Sequence, residues 1–114
     1  MPMKSKRTKA IEIPRKVKEA VAERDSIDGH PCCILCGKPA PTSSPLAFSN
    51  AHILRRSRGG RGIETNIATL CWECHMKFDQ SNEGDKIMDF ICDYMKRHYG
   101  ETWSIQEQKY DKGE

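Results

Sequence analysis

Two Cys-x-x-Cys pairs lie on either side of a lone histidine, and the second pair runs straight into another: Cys33-Ile34-Leu35-Cys36, then His52, then Cys71-Trp72-Glu73-Cys74-His75. That set holds enough ligand chemistry for two metal tasks in one small chain. Four thiolates close a tetrahedral zinc site and leave no open coordination position on the ion. The histidines are then free for something that ion cannot do. His75 and Asp79 stand at i and i+4, so on a helix both project from the same face. The competing reading of the cysteines, as buried thiols or a redox couple, asks two correctly spaced pairs to arise without a metal. Cys32 competes with Cys33 for the first ligand position, because Cys32-x-x-x-Cys36 is also permissible and only one of two neighbouring side chains can reach the ion.

The elements that must position these groups can be read from pattern and punctuation. Residues 1–12 read as a flexible basic arm. Pro14 opens a helix over residues 15–24 with Val17, Ala20, Val21 and Arg24 along one stripe, and Asp28-Gly29 and Pro31 stop it. Gly37 lets the chain turn beneath an ion held by the first cysteine pair. Pro39 to Pro45 is a loop. Phe48 to Leu54 reads as a strand, Gly59, Gly60 and Gly62 as a bend, and Ile63 to Leu70 as the segment containing the return strand. A helix from Glu73 to about Gln80 carries His75 and Asp79. A last helix runs from about Asp85 to Tyr99, with Ile87, Phe90, Ile91, Tyr94 and Met95 on one face and Gly100 ending it. Cys92 reads as a small core residue, and His30 and His98 as surface residues. The organisation is therefore an arm over 1–12, one domain over 13–100 with its core at 30–80 and its last helix at about 85–99, and a polar tail over 101–114.

A chain of 114 residues with 37% hydrophobic residues builds one modest core, which a structural metal would supplement. Met1 to Arg7 carry charge with no apolar run behind them, so no signal peptide is expected, and no stretch reaches a membrane-spanning length. Metal-bound thiols in a reducing cytoplasm therefore fit better than disulfides. The net charge of +3 conceals an uneven distribution. Eight lysines and arginines face three glutamates over residues 1–24, Arg55, Arg56, Arg58 and Arg61 have no acid among them, and the chain from Asp79 onward is net acidic. A protein that lays one side against a phosphate backbone shows such asymmetry. A solvated basic tail and a solubilising arginine patch would look the same.

Taken in order, Asn50-Ala51-His52-Ile53-Leu54, the arginine and glycine stretch to Gly62, Asn66-Ile67-Ala68-Thr69-Leu70-Cys71 and Cys74-His75 resemble an HNH endonuclease of the ββα-metal type. More narrowly, they resemble the small HNH proteins of phages and prophages, and the likeness covers about residues 24–80. It implies a small α+β fold, a ββα-metal (His-Me finger) core with a four-cysteine structural zinc, flanked by an N-terminal and a C-terminal helix. It also implies a metal-dependent DNA endonuclease that hydrolyses phosphodiester bonds and nicks one strand. On this resemblance His52 is the general base and Asn66 holds the hairpin loop and orients it. Cys33, Cys36, Cys71 and Cys74 bind the structural Zn²⁺. His75 and Asp79 hold the catalytic ion, and the hard carboxylate favours Mg²⁺ or Mn²⁺. Arg55, Arg56, Arg58 and Arg61 would contact DNA phosphates. The expected setting is a bacterial host cytoplasm, with a phage-encoded monomer or weak dimer, no membrane, and terminase subunits as candidate partners. One departure stands out: the residue before the base often ligates the metal in this family, and here it is Ala51. The rival readings are a zinc-ribbon DNA-binding module without catalysis, with Ala51 as its lesion, and an accessory nuclease for phage DNA packaging.

Overall fold

Pro14 takes φ −63° and ψ 153° and caps a helix whose first turn cannot use the missing amide, and the Asp28-Gly29 pair supplies the two left-handed residues of a tight hairpin. The computed structural model describes residues 5–42, 44 and 48–110. Residues 1–4 of the expected arm, Ser43 and Pro45 of the expected loop, and residues 111–114 of the expected tail lie outside them. Helix α1 (Lys6–Ile11) is followed by α2 (Arg15–Arg24) and a two-residue hairpin, β1 (Ser26–Ile27) with β2 (His30–Pro31). Then come β3 (Ser49–His52), β4 (Ile67–Leu70), α3 (Trp72–Gln80) and α4 (Gly84–Tyr99). The fold is small and α+β, with two two-stranded antiparallel sheets among the described residues.

The second sheet and α3 form the ββα unit. β3 pairs with β4 in the register Ser49↔Leu70, Asn50↔Thr69, Ala51↔Ala68 and His52↔Ile67. Strand residues alternate faces, so Ala51 turns into the core with Ala68 and Leu70 while Asn50 and His52 take the opposite face. Ala51, Ile53, Leu70, Phe78, Ile91 and Met95 make the apolar centre, which α4 covers by packing on α3. The apolar residues of α4 recur at helical spacing, and Ile87, Ile91 and Met95 are buried.

Arg24 does more than extend the α2 stripe. Its side chain is buried and grips Asp25 through Nε at 2.7 Å and Nη2 at 2.9 Å, while other guanidinium bonds go to the carbonyls of Glu64 and Ile67. Asp25 also accepts from the Tyr94 hydroxyl at 2.6 Å and from the Thr69 amide at 3.0 Å. Burial alone would lower the guanidinium pKa, but hydrogen bonds and charge from Asp25 outweigh it and raise the value. Burial followed by the Asp25 hydrogen bond likewise pushes the Tyr94 phenol up. This network ties α2 to the free edge of β4 and to α4.

Two stretches differ from the sequence expectation. The described part of the 1–12 arm is a helix, capped by the Ser5 hydroxyl accepting from the Thr8 amide and seated by buried Ile11. The described part of the 101–114 tail is folded as well. Trp103 is buried with its indole N–H on the Thr65 carbonyl at 2.9 Å, and buried Gln108 accepts from the Thr65 hydroxyl. A single large aromatic with a satisfied polar edge outweighs the polar composition around it.

Replacing Arg24 with alanine would strand the Asp25 carboxylate without its cation. Arg24→Ala should therefore cost about 3–5 kcal/mol of stability, the range for removing one partner of a buried pair. Urea unfolding followed by circular dichroism reads this directly. A loss under about 1 kcal/mol would mean that the network carries no such load.

Candidate active site

The two cysteine pairs converge. The sulfurs of Cys33, Cys36, Cys71 and Cys74 all lie within 4.8 Å of one another. Cys36 Sγ and Cys71 Sγ are 3.7 Å apart, and four sulfurs at the usual zinc bond length on a tetrahedron would be separated by about 3.8 Å. The first pair sits on a tight turn, with the Gly37 amide on the Cys33 carbonyl at 2.9 Å and Gly37 at φ 79°. The second pair straddles the start of α3, where Cys71 is the cap residue. Burial alone would raise the Cys33 pKa, yet backbone amides of Cys36, Cys71 and Leu35 draw it below the usual thiol value. Burial pushes Cys71 and Cys74 up, and neighbouring sulfurs add to this. Four thiolates this close need a cation among them, so the cluster can hold a metal such as zinc. Cys32 stands outside it and points its sulfur at the His30 carbonyl, which leaves Cys33 as the ligand-competent member of the two.

Beside the cluster, the face of β3 that carries Asn50 and His52 meets α3 and the loop after β3 in a cleft of about 520 Å³. His75 and Asp79 line it from α3, together with Gln80, and Arg55, Arg56 and Ser57 line it from the loop. Histidines 52 and 75, separated by 22 residues of chain, thus share one cavity. His52 Nε2 lies 2.9 Å from the carbonyl oxygen of Ile11. A carbonyl only accepts, so Nε2 carries the hydrogen and Nδ1 keeps the lone pair of the neutral ring. Burial, then the charges of Arg56 and His75, lower the His52 pKa below its ordinary 6.5 against the opposing Ile11 hydrogen bond. The ring is therefore neutral at physiological pH and able to accept a proton.

His75 commits its other nitrogen, Nδ1, for an equally local reason. The Ser49 hydroxyl donates to the Leu70 carbonyl at 2.7 Å, which uses its hydrogen. Its oxygen can then only accept from His75 Nδ1, 3.0 Å away. His75 Nδ1 therefore carries a hydrogen, and Nε2 lies 3.2 Å from Asp79 Oδ2. A hydrogen on Nε2 satisfies this pair, and a metal ion taking its place would find a ring nitrogen and a carboxylate oxygen side by side. Adjacent donors on an octahedral Mg²⁺ are about 3 Å apart, so the residues present fit a hard divalent ion.

The remaining expected residues divide. Asn66 is fully buried and does not line the cleft. Its Oδ1 accepts from the Leu54 amide at 2.8 Å, and Nδ2 donates to the Leu54 and Arg61 carbonyls, which closes the loop directly after His52. Arg55 and Arg56 face the cleft, Arg55 lying over the Phe78 ring. Arg58 is exposed on the loop, while Arg61 turns to the Glu107 carbonyl. Ala51 is in the core, where a metal ligand would point away from the cleft. Sequence reasoning missed Ser49 and Asn50. Strand alternation about His52 could have found Asn50, whereas the Ser49 contact exists only once β3 lies against α3.

A sequence model of the family described as HNH endonuclease matches residues 33–91, just over half of the chain. No curated protein matches it.

The Ser49 geometry carries a test of the second metal site. Ser49→Ala frees the His75 ring to rotate and change tautomer, and outer-shell partners of this kind are worth about 10–100-fold in metal affinity. Mn²⁺ titration followed by calorimetry should show that loss, with restoration in Ser49→Thr and the metal content of the four-cysteine cluster unchanged. Equal Mn²⁺ affinity in Ser49→Ala and the parent protein would remove His75 from the ligand set.

Proposed function

The chain belongs to the HNH endonuclease family, and from that membership together with the cleft we propose that it is a metal-dependent DNA endonuclease that nicks one strand. The observation that carries this reading is the shared cleft. It joins one imidazole poised to accept a proton, His52, with a second imidazole poised to ligate through Nε2 beside a carboxylate, His75 and Asp79. We take the Cys33, Cys36, Cys71 and Cys74 ion to be structural Zn²⁺ and the ion at His75 and Asp79 to be Mg²⁺ or Mn²⁺.

His52 Nδ1 accepts a proton from water as its oxygen attacks the scissile phosphorus, and the Ile11 carbonyl stabilises the positive charge that the ring acquires. The bond to the 3′ oxygen breaks in line, leaving a 5′ phosphate and a 3′ hydroxyl once that oxygen takes a proton from solvent. When bound, the divalent ion supplies charge neutralisation at the phosphate and at the leaving oxygen. Arg55 and Arg56 hold neighbouring phosphates, with Arg58 at the margin, so affinity weakens as salt rises. Asn66 contributes by holding the loop that follows the base, and a base held in place retains the advantage of proximity. The core position of Ala51 speaks against treating it as a lesion. No helix among the described residues is long and apolar enough to cross a membrane. A phage-encoded role in a bacterial cytoplasm, beside terminase subunits, extends the same reading.

Supercoiled plasmid incubated with Mg²⁺ or Mn²⁺ should relax to the nicked form, and His52→Ala should reduce the rate at least about 100-fold, the scale of general-base loss. Protonating His52 removes the accepting lone pair, so activity should fall as pH drops through its lowered pKa. The acid limb of kcat/KM should therefore lie below pH 6.5, the ordinary imidazole value. A mobility shift without nicking in either metal would favour the non-catalytic zinc-ribbon module. Nicking only after terminase subunits are added would favour the packaging accessory.

A further inference from the structure

Helix α1 lies wholly outside the family-matched segment, yet it makes the hydrogen bond that sets the His52 tautomer. Its attachment is specific. The Gly62 amide donates to the Ala10 carbonyl at 2.8 Å. A Cβ at position 62 would fall 1.9 Å from the Glu12 carbonyl oxygen and 2.7 Å from that of Ile11. Glycine is thus the one residue whose backbone lets α1 come close enough to reach the base. At the other end of the loop, Arg7 Nη2 donates to the Arg56 carbonyl at 3.2 Å. The helix is therefore pinned to both ends of the arginine loop that borders the cleft.

Six residues make a helix too short to persist alone in water, where about 12–15 are needed even for favourable sequences. Its form therefore depends on being docked. Lys6, Arg7 and Lys9 are exposed on it with no acid in the helix, and Arg55, Arg56 and Arg58 are exposed across the junction. A phosphate backbone touching both sides binds the docked arrangement better than the undocked one, and only such a difference in affinity can shift the balance.

We propose that α1 is a strap closed by substrate: the Ile11 carbonyl is a positioning group for His52, Gly62 is the seat of the strap, and DNA laid across α1 and the arginine loop holds it shut. The catalytic consequence rests on the nuclease reading above, whereas the tautomer can be read without any cleavage.

Gly62→Ala in the full-length, zinc-loaded protein should unseat α1 while leaving every cation and every cleft side chain in place. ¹⁵N NMR of the imidazoles should show His52 of the parent protein protonated at Nε2 and bare at Nδ1. In Gly62→Ala the two nitrogens should average towards a mixture of tautomers. With DNA, kcat for nicking should fall about 100-fold, the scale of a roughly 1 Å misplacement, while KM changes little. Ala10→Pro, which breaks α1 without touching the core, should behave the same way and serves if Gly62→Ala does not fold. Lys6→Gln with Lys9→Gln should weaken DNA binding and lower kcat together, and leave the tautomer of the free protein unchanged. A parent-like His52 spectrum in both Gly62→Ala and Ala10→Pro, or parent-like nicking in both, would overturn the strap. A released tautomer in the variants, with no nicking by the parent protein in Mg²⁺ or Mn²⁺, would keep the strap and sink the nuclease reading instead.

Discussion

The convergence of four sulfur atoms within 4.8 Å is the constraint on which the rest depends. Four thiols at that separation cannot all ionise unless a cation neutralises them, so an ion held there would couple its binding to the fold around it. The cluster fixes more than itself. Cys71 caps α3 and Cys74 lies in its first turn, so the orientation of that helix is tied to the cluster. His75 is the next residue, and Asp79 follows one turn later. The first pair is tied to the same place by the Ile34 amide on the Thr69 carbonyl at 3.0 Å. The cysteine cluster thus sets the azimuth at which His75 and Asp79 face β3.

A second tie works without any metal, along the same edge of β4. β4 is buried along its whole length, and its backbone needs polar partners on the edge away from β3. Arg24 and Asp25 supply them, reaching the Ile67 carbonyl and the Thr69 amide. Burying two charges carries a desolvation cost that only complete hydrogen bonding offsets, and Asp25 accepts four bonds to satisfy that condition. With the free edge of β4 held in this way, β3 pairs on its other edge, and their register decides which side chains of β3 see the cleft.

Local order in the sequence made much of this legible. The helix after Pro14, the two strands around the glycine bend, the helix carrying His75 and the amphipathic last helix all follow from short-range periodicity and punctuation, and each forms within a few residues of its expected bounds. The cysteine spacing likewise announced a metal cluster, although the choice between Cys32 and Cys33 required the chain to turn. What stayed hidden depends on partners distant in sequence. α1 looked like an arm because its charges are local, while the Gly62 contact that seats it comes from far along the chain. The tail looked polar because Trp103 is one residue among many, and its site against Thr65 exists only in three dimensions. Ser49 gives no sign of its contact with His75, since serine at a strand start is commonplace.

The cleft uses two histidines for two tasks, and the fold prevents them from exchanging roles. An unconstrained neutral imidazole interconverts between tautomers, so either ring could act as acceptor or as ligand through either nitrogen. Here each ring has one nitrogen committed to an acceptor that cannot itself donate. His52 gives Nε2–H to a backbone carbonyl, and His75 gives Nδ1–H to a hydroxyl already spent on Leu70. The nitrogen left uncommitted by these bonds is then Nδ1 on one ring and Nε2 on the other. Asp79 stands beside the second, and the positive field of Arg56 lies near the first. That field, together with burial, keeps His52 neutral, whereas a carboxylate draws cations towards His75. The division of labour between proton acceptor and ligand is therefore set by what each ring donates to rather than by anything in the rings themselves.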